Sequence, residues 1–434
     1  MQERAWSMKF NGVASLLGVT LFRGLEPWRR NLYVLWLSQF ASIVSFSLAF
    51  PFIPLFIQTL GVDDPRQAAF WGGVSFSAMG FSMFFASPIW GILGDRFGRK
   101  KNVLRALFGS AVLVGVTGLS PNVPILVILR FFTGMVTGTV PTVMALVASM
   151  TPRHKIGFSI SLMQMALFTG LAIGPLVGGV LAGTVGFRAT FFVSGIGLAI
   201  IGILVLLAVR ESFQRPQGAT TSEGPVALLR GFFTLATSRT FLPVLALILL
   251  VQSVPVTILP VLPVFIRELS PESSTVAAGI AFGVLSAASS VASLVVAQVG
   301  QRLGLKRVLI GAAWLGGIAY LPFALVQSVP QVVALVAVTG FAQGAMLSSA
   351  MSLVGTLVPP RQHSQAFGAL QSVFSLAIGT GPLLGGVLAT TLGLRAVFLV
   401  DGVLLLVVGV VAFRLVSAKG QEEGGEPSPP ARSG

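Results

Sequence analysis

The chain has 434 residues, of which 54% are hydrophobic and only 9% are charged, and its formal net charge is +15. A soluble globular domain carries about 25% charged residues, so this composition excludes an ordinary water-soluble domain and indicates a protein of the lipid bilayer. The chain has no cysteine, which excludes disulfides, thiolate metal sites and cysteine nucleophiles.

The segment before the first long apolar run is a short, basic lead-in. Residues 8–22 resemble a signal peptide, but a mixture of Arg and Glu at 23–30 follows instead of a small-residue cleavage site. We therefore interpret residues 1–30 as a cytoplasmic lead-in that lies at the membrane interface.

Apolar runs then fill most of the chain. About 20 apolar residues cross the ~30 Å hydrocarbon core of a bilayer. Charged and Pro/Gly-rich segments divide the chain into twelve such runs, which predict an all-α membrane protein. The predicted spans 1 to 12 cover 31–59, 70–94, 103–120, 123–150, 157–184, 189–210, 241–266, 276–300, 307–327, 330–356, 364–391 and 396–416.

A polar segment divides these spans into two groups of six. We predict an N-terminal six-helix bundle at 31–210, a cytoplasmic linker at 211–240, a C-terminal six-helix bundle at 241–416 and a disordered cytoplasmic tail at 417–434.

The cations are concentrated on one side of the predicted membrane. Twenty-three of the 28 Lys and Arg residues lie in the segments that share a side with the N-terminus or at the adjoining ends of the spans, four lie in the opposite loops, and Arg130 lies within span 4. This is the positive-inside bias, so we expect a multi-pass protein of the inner cell membrane with both termini in the cytoplasm. The basic charge therefore reports topology and does not indicate nucleic-acid binding.

The two halves of the chain repeat each other at a shift of about 206 to 209 residues. The matched segments are PFIP from Pro51 with PVLP from Pro260, GDRFGRKK from Gly94 with GQRLGLKR from Gly300, and GPLVGGVLAG from Gly174 with GPLLGGVLAT from Gly381. Such a repeat predicts two parallel six-helix bundles with a site between them near the middle of the membrane.

The motifs within this repeat resemble those of the major facilitator superfamily, and within it the twelve-span drug:proton antiporter branch. The loop motif of the family is matched by Gly91, Asp95, Arg96, Gly98, Arg99 and Lys100. The antiporter motif of span 5 is matched by Gly170, Gly174, Pro175, Gly178 and Gly179. Pro51 and Pro54 match the span 1 signature, and Arg130 matches the arginine expected early in span 4.

Asp95 is an acid in the cationic loop between spans 2 and 3. The positive-inside rule explains the cations of this loop but does not explain an acid among them. A carboxylate at a helix N-terminus gains about 0.3 to 2 kcal/mol from the helix dipole. We expect, as the resemblance also implies, that Asp95 docks on the start of span 11 near Ser364 when the cytoplasmic side is shut. A local ion pair with Arg96 or Arg99 is the alternative. The repeat has Gln301 where Asp95 stands, so this latch is one-sided.

Small residues line one face of span 5 and one face of span 11. The pattern in span 11 is Gly381, Pro382, Gly385 and Gly386. Small residues four apart allow helices to pack backbone to backbone in lipid, and an internal proline bends a helix. These faces therefore predict close, bendable seams, with ordinary tight packing as the alternative.

Few charges remain inside the spans, and such charges default to functional hypotheses. Asp401 in span 12 is the one acid within an apolar span. Because span 12 is expected to be peripheral in this fold, a snorkelling or locally paired carboxylate is favoured over a proton site. The resemblance implies that span 4 lines the central passage, which makes Arg130 a cavity candidate, with outward snorkelling as its alternative. Possible proton-coupling residues are Asp95, Arg130 and Asp401.

With so little fixed charge, we expect a passage lined by apolar and amide groups, which suits amphipathic or aromatic solutes. The predicted lining includes Gln39, Phe46, Phe50, Arg130, Gln164, Gln252 and Gln371.

The resemblance implies a secondary transporter that exports drug-like solutes by rocker-switch alternating access in exchange for protons, acting as a monomer without cofactor or metal. An importer or exporter of a single metabolite, such as a sugar, siderophore or lipid-like compound, is the main alternative, and transport without proton coupling is left open. An enzyme is disfavoured, because His154 and His363 lie in loops and no metal cluster, P-loop or nucleophile elbow is visible. A membrane sensor or scaffold is a further alternative.

Overall fold

The computed structural model describes residues 26–152, 155–209, 211, 242–357 and 363–423. Within these ranges, several side chains at the helix ends, among them those of Asp95, Arg96 and Gln371, are not described. The predicted lead-in up to residue 25, most of the predicted linker and the end of the predicted tail lie outside the described residues.

The first half of the described chain forms six helical passes. Two of them are interrupted, and the letters a and b mark their two segments. The helices are α1a Pro27–Ala49, α1b Ile53–Thr59, α2 Pro65–Phe97, α3 Arg99–Thr117, α4a Val123–Val136, α4b Thr139–Met150, α5 Ile156–Thr184 and α6 Gly186–Ala208.

The second half of the described chain forms six more passes in the same order. A 3₁₀ turn, Leu321–Leu325, prolongs the ninth pass. The helices are α7a Leu242–Thr257, α7b Leu262–Leu269, α8 Ser274–Leu303, α9 Leu305–Tyr320, α10 Val329–Leu357, α11 His363–Leu392 and α12 Leu394–Glu423.

The predicted fold class, an all-α membrane protein with twelve passes in two bundles, is confirmed within the described residues. Ten of the described helices are long and apolar enough to cross a membrane by themselves. The other two passes are α3, whose first turns carry four cations, and α4, which breaks at Thr137 and Gly138. Gly138 has φ +115°, a left-handed conformation that glycine adopts without steric penalty.

Helices α2 and α12 extend furthest beyond their predicted bounds. Helix α2 runs from Pro65 to Phe97, longer at both ends than predicted, because it starts at the Asp64 cap and continues through the charged loop motif. Helix α12 continues to Glu423, beyond the residue at which we expected the disordered tail to begin. Hydropathy reports the lipid-buried part of a helix, and a helix can extend beyond that part.

The repeat is visible in the breaks of α1 and α7. Both interruptions fall at the duplicated proline motifs, since a 3₁₀ turn at Phe50–Phe52 contains Pro51, and α7b starts with Pro263 in its first turn. Proline removes a backbone donor and clashes with the preceding turn, so a helix ends or kinks there.

Packing repeats as well. Helix α1 packs on α5 and α6, and α7 packs on α11 and α12. Phe56 and Phe191 have ring centroids 5.2 Å apart with planes at 53°, and Phe265 and Phe398 are 5.2 Å apart at 54°. Across the bundles, α2 packs on α11 and α5 packs on α8. We call the face that carries the loop 60–64 the outer face, after the predicted orientation.

Candidate functional site: two helix seams and two buried charges

One edge of the α5 motif packs inside the N-terminal bundle. A Cβ atom added to Gly170 would lie 2.8 Å from the Cβ of Ile43 in α1. A Cβ on Gly174 would overlap the Ser47 side chain in the same helix. These two glycines therefore let α5 lie against α1 at backbone distance, and Gly178 does the same at the next turn.

The other edge of the same motif meets the opposite bundle. A Cβ on Gly179 would lie 2.6 Å from the Thr275 carbonyl oxygen in α8, and a Cβ on Gly279 would lie 2.5 Å from the Pro175 carbonyl oxygen. Neither position has room for a side chain. We call this backbone-to-backbone contact of Pro175, Gly179, Thr275 and Gly279 the α5–α8 seam.

Helix α11 divides its small residues in the same way. Gly381 and Gly385 face α7a, where a Cβ on Gly381 would lie 2.7 Å from the Ser253 carbonyl oxygen. Pro382 and Gly386 face α2 across the bundle interface: a Cβ on Gly73 would overlap the Pro382 carbonyl group, and a Cβ on Gly386 would lie 2.9 Å from the Phe70 Cα. We call the contact of Gly73, Gly80, Gly379, Pro382 and Gly386 the α2–α11 seam.

The broken helices add a third contact between the bundles. A Cβ on Gly72 of α2 would lie 2.8 Å from Pro54 of α1b and 3.3 Å from Pro260, in the break of α7. This contact and both seams use the halves of α2, α5, α8 and α11 that are next to the outer face. The described residues therefore have the bundles closed together at the outer face.

The loop motif forms a tight junction between α2 and α3. Gly98 has φ +105°, ends α2 and starts α3. The backbone N–H groups of Arg99 and Lys100 donate to the two carboxylate oxygens of Glu211, at 3.1 and 2.9 Å. An acid therefore does dock on a helix N-terminus here, but the acid is Glu211 and the helix is α3.

Glu211 was missed in the sequence analysis, although it could have been found by the argument applied to Asp95. Glu211 is an acid on the cationic side of the protein, and the positive-inside rule does not explain an acid there. The positions of Gly91, Asp95 and Arg96 are within the last turns of α2. The side chains of Asp95, Arg96 and Ser364 are outside the description, so the predicted latch and the alternative ion pair remain predictions.

The break of α4 is held by side chains from α2 and α3. Trp90 Nε1 donates to the Met135 carbonyl at 2.6 Å, and Arg105 Nη1 donates to the Val136 carbonyl at 2.7 Å. The Arg105 guanidinium lies 3.5 Å from the centroid of the Trp90 ring. These donors satisfy carbonyls left open at the end of α4a and tie α2, α3 and α4 into one unit.

The predicted cavity residues have different environments. Phe46 and Phe50 of the first pass form a ring cluster with Phe76 of α2, with centroids 5.2 and 4.7 Å apart. Gln39 is buried, with both amide atoms lacking a partner among the described residues, whereas Gln164 is exposed. Gln252 is half-buried.

Arg130 is enclosed in the N-terminal bundle. Its side chain is 1% exposed, and its guanidinium carbon lies 5.7 Å from the centroid of the Phe191 ring in α6. The Nε atom has no hydrogen-bond partner among the described residues. The alternative of outward snorkelling is therefore wrong for this conformation.

Asp401 is enclosed in the C-terminal bundle. Its side chain is 0% exposed, Oδ2 shares a hydrogen bond with the Thr257 hydroxyl at the end of α7a, and Oδ1 has no partner among the described residues. Snorkelling is therefore wrong for Asp401, and the local pairing that we considered is with a hydroxyl. The sequence did not distinguish snorkelling from local pairing, because α12 is apolar on every side and its sequence does not show which face is buried. Among the described residues, no group of three or more His, Asp or Glu side chains could hold a metal ion.

Comparison with known proteins places the chain in a family. The model of the Major Facilitator Superfamily matches residues 35–297 and 256–433. The chain is 34% identical over 391 residues to the multidrug resistance protein MdtG of Enterobacter lignolyticus, with 87% of this chain and 90% of that protein covered. It is 32% identical over 377 residues to MdtG of Proteus mirabilis, with 86% and 92% covered.

Solved structures share the fold at low sequence identity. A bacterial homologue of the human lysosomal transporter Spinster matches with TM-score 0.73 and 17% identity, over 93% of this chain and all of that chain. The nucleoside transporter NupG matches with TM-score 0.74 and 13% identity, over 89% and 98%. The duplicated bundles, the loop motif and these matches agree, and the chain belongs to the Major Facilitator Superfamily.

Proposed function

We propose that this chain exports amphipathic, drug-like solutes by alternating access, in exchange for protons. The observation that supports the proposal most directly is the pair of seams that closes the outer face. In both seams backbone meets backbone, at Gly179 with Thr275 and at Gly73 with Pro382. At these two points a carbonyl group meets a glycine and no side chains interlock, so two rigid bundles can separate there without repacking their cores.

The class of substrate follows from chemistry and from relatives. The predicted passage includes the Phe46 and Phe50 rings and the uncharged amide of Gln39, which suit apolar or aromatic solutes with a few hydrogen-bonding groups. The relatives reported above are named multidrug resistance proteins. A single chain contains both bundles, so the monomer is the proposed transporting unit.

In the proposed cycle the seams and the latch belong to opposite states. The seams hold the outer face shut while solute enters from the cytoplasm, and Asp95 docks on the start of α11 when the cytoplasmic side is shut. Protons then return through the protein as the solute leaves, in the inner membrane with both termini in the cytoplasm.

The test is efflux of a panel of dyes and antibiotics from cells, with and without a protonophore. The parent protein is compared with Gly179→Val, which places a side chain against the Thr275 carbonyl in the α5–α8 seam. Gly311→Val is the matched control, since a Cβ at Gly311 meets nothing within 4 Å. We expect efflux in the parent and in Gly311→Val, loss of efflux in Gly179→Val, and loss of all efflux with the protonophore.

Each part of the proposal has its own contrary outcome. Efflux that survives the protonophore would remove proton exchange. Absence of efflux for every panel member, with normal membrane expression, would favour a carrier of one metabolite. Full activity of Gly179→Val would show that transport does not need the close backbone contact of the α5–α8 seam.

A further inference from the structure

Asp401 occupies a closed polar site within the C-terminal bundle. The carboxyl meets the Thr257 hydroxyl from α7a. Tyr320 of α9 is also buried, and its Cβ lies 3.2 Å from the place that a Cβ on Gly402, the residue after Asp401, would take. Helices α7a and α9 thus pack around one acid.

Counting hydrogens indicates the protonation state of this acid. The Thr257 hydroxyl lies 2.6 Å from the Val254 carbonyl oxygen and is also hydrogen-bonded to Asp401 Oδ2. A hydroxyl carries one proton, whereas a carbonyl and a carboxylate are both acceptors, so the two contacts need a second proton. A protonated Asp401 supplies it by donating to the Thr257 oxygen, while Thr257 donates to Val254.

The surrounding charges agree with a neutral acid. Among the described side chains, α7a, α10 and α11 contribute no Lys, Arg, Asp or Glu to this region, and α9 contributes Tyr320 there, while its Lys306 and Arg307 lie at the opposite end. On α12 itself, Arg395 donates instead to the Ala324 and Val326 carbonyls at 2.8 and 3.0 Å. Arg267 and Glu268 lie beyond, at the outer end of α7b. A charged Asp401 would therefore be buried without a cation, which is strongly unfavourable.

Thr257 connects this acid to the contacts at the outer face. It is the last residue of α7a. Pro260, in the break that follows, packs against Gly72 of α2. The Thr257 carbonyl also packs directly on Gly385 of α11, one residue before the Gly386 of the α2–α11 seam. Thr257, the partner of Asp401, therefore lies next to two of the three contacts that close the outer face.

The first half of the chain lacks this device. In the repeat, Ser194 stands where Asp401 stands, and Leu48 stands where Thr257 stands. The backbone packing is kept, since the Leu48 carbonyl packs on Gly178 as the Thr257 carbonyl packs on Gly385. The acid and its hydroxyl partner are thus additions to one half, and the shared packing does not need them.

We infer that Asp401 is a proton-binding site whose occupancy controls the outer face, through Thr257 and the break of α7. The inference rests on the proposed alternating access. When the outer face opens, water reaches the carboxyl, and Asp401 exchanges its proton with the outer solution. When the carboxyl gains a proton, the Thr257 contact forms again and the seams close. Protons thus favour the outer-closed state because they bind that state more tightly.

The test measures closure directly and needs no substrate. The chain has no cysteine, so cysteines introduced at Gln67 and Pro271, both exposed near the outer face, carry the only spin labels. In the purified full chain in lipid nanodiscs, we expect lower pH to increase the population with the short label distance. Asp401→Asn, which mimics the neutral acid, keeps the short distance at every pH and loses the pH dependence.

A second pair of variants covers the case in which Asp401→Asn does not fold. Thr257→Val removes the hydroxyl partner and lowers the pH midpoint of closure, which is the pH at which half of the molecules have the short label distance. Thr257→Ser keeps the hydroxyl and keeps the parent midpoint. Glu268→Gln, an acid at the outer end of α7b, is the control and retains the pH dependence.

Several results would overturn the inference. They are a parent distance distribution that does not respond to pH, a pH response that persists in folded Asp401→Asn, and equal midpoints for Thr257→Val and Thr257→Ser. The proposed function fails differently: pH-dependent closure without efflux of any panel compound would reject the export of drug-like solutes and leave the proton site standing.

Discussion

The two halves of the molecule share their packing and differ in the charge that they bury. Phe56 lies on Phe191 and Phe265 lies on Phe398 at the same centroid separation of 5.2 Å. Beside the first pair lies a buried cation, Arg130, and within the second half lies a buried acid, Asp401. The repeated residues build the fold, and the residues that break the repeat are the candidates for function.

The same contrast holds at the outer face, where the halves are alike. Gly178 and Gly385 both pack on a carbonyl of the first helix of their own bundle, and Gly179 and Gly386 both face the opposite bundle. A symmetric closure needs symmetric small residues, because a Cβ on either side would separate the backbones. A directional cycle needs an asymmetry in addition, and we propose that the buried charges supply it.

The largest expected effect comes from making the first half like the second at Arg130. Val336 stands at this position in the repeat, so Arg130→Val removes the buried cation and keeps a residue that the fold accepts. We expect loss of efflux, since a charge inside a membrane bundle is retained for function. Stability is expected to hold or to rise by about 1 to 4 kcal/mol, because an apolar residue replaces a poorly satisfied buried charge. Efflux assays and thermal unfolding in detergent measure the two effects.

Arg130→Lys is the companion variant, because it keeps the charge and changes the geometry. Partial efflux in Arg130→Lys with none in Arg130→Val would assign the role to the charge. Full efflux in Arg130→Val would contradict the idea that the buried charge of the first half is needed for function. A large loss of stability would make Arg130 a structural residue.

A smaller effect is expected at the inner face, where Asp95 of the first half corresponds to Gln301 of the second. A carboxylate on a helix N-terminus contributes about 0.3 to 2 kcal/mol, so Asp95→Asn should lower efflux by up to about thirtyfold with normal membrane expression. Gln301→Asn is the matched control and should leave efflux unchanged. Equal efflux for both variants would favour the local ion pair over the latch.

The sequence predicted the repeat well, because twelve apolar runs and duplicated motifs such as GPLVGGVLAG and GPLLGGVLAT are properties of the chain alone. It also predicted that α5 and α11 pack through small residues. It did not show that one glycine of each GG pair faces its own bundle and the next faces the other bundle, since adjacent residues point about 100° apart and their partners are set by tertiary packing.

Buried polar partners were harder to predict. The pairing of Asp401 with Thr257 joins residues 144 positions apart in helices without a polar face, so no periodicity marks it. The break of α4 at Gly138 was missed, because one glycine among 50 in the chain has no distinctive neighbours, and its left-handed conformation is visible only in three dimensions.

The smallest effect is expected at Glu211, which the sequence analysis overlooked. Its two carboxylate oxygens accept hydrogen bonds from the backbone N–H groups of Arg99 and Lys100. Glutamine has one acceptor oxygen and no charge, so Glu211→Gln should lower the free energy of unfolding by about 1 kcal/mol. Thermal unfolding in detergent measures the loss, with Glu272→Gln, an exposed acid of the outer face, as the control. Efflux per folded molecule should stay near the parent value. If efflux falls while the unfolding temperature does not, the α3 cap belongs to the transport cycle, and the separation between a structural acid at Glu211 and a moving acid at Asp95 is wrong.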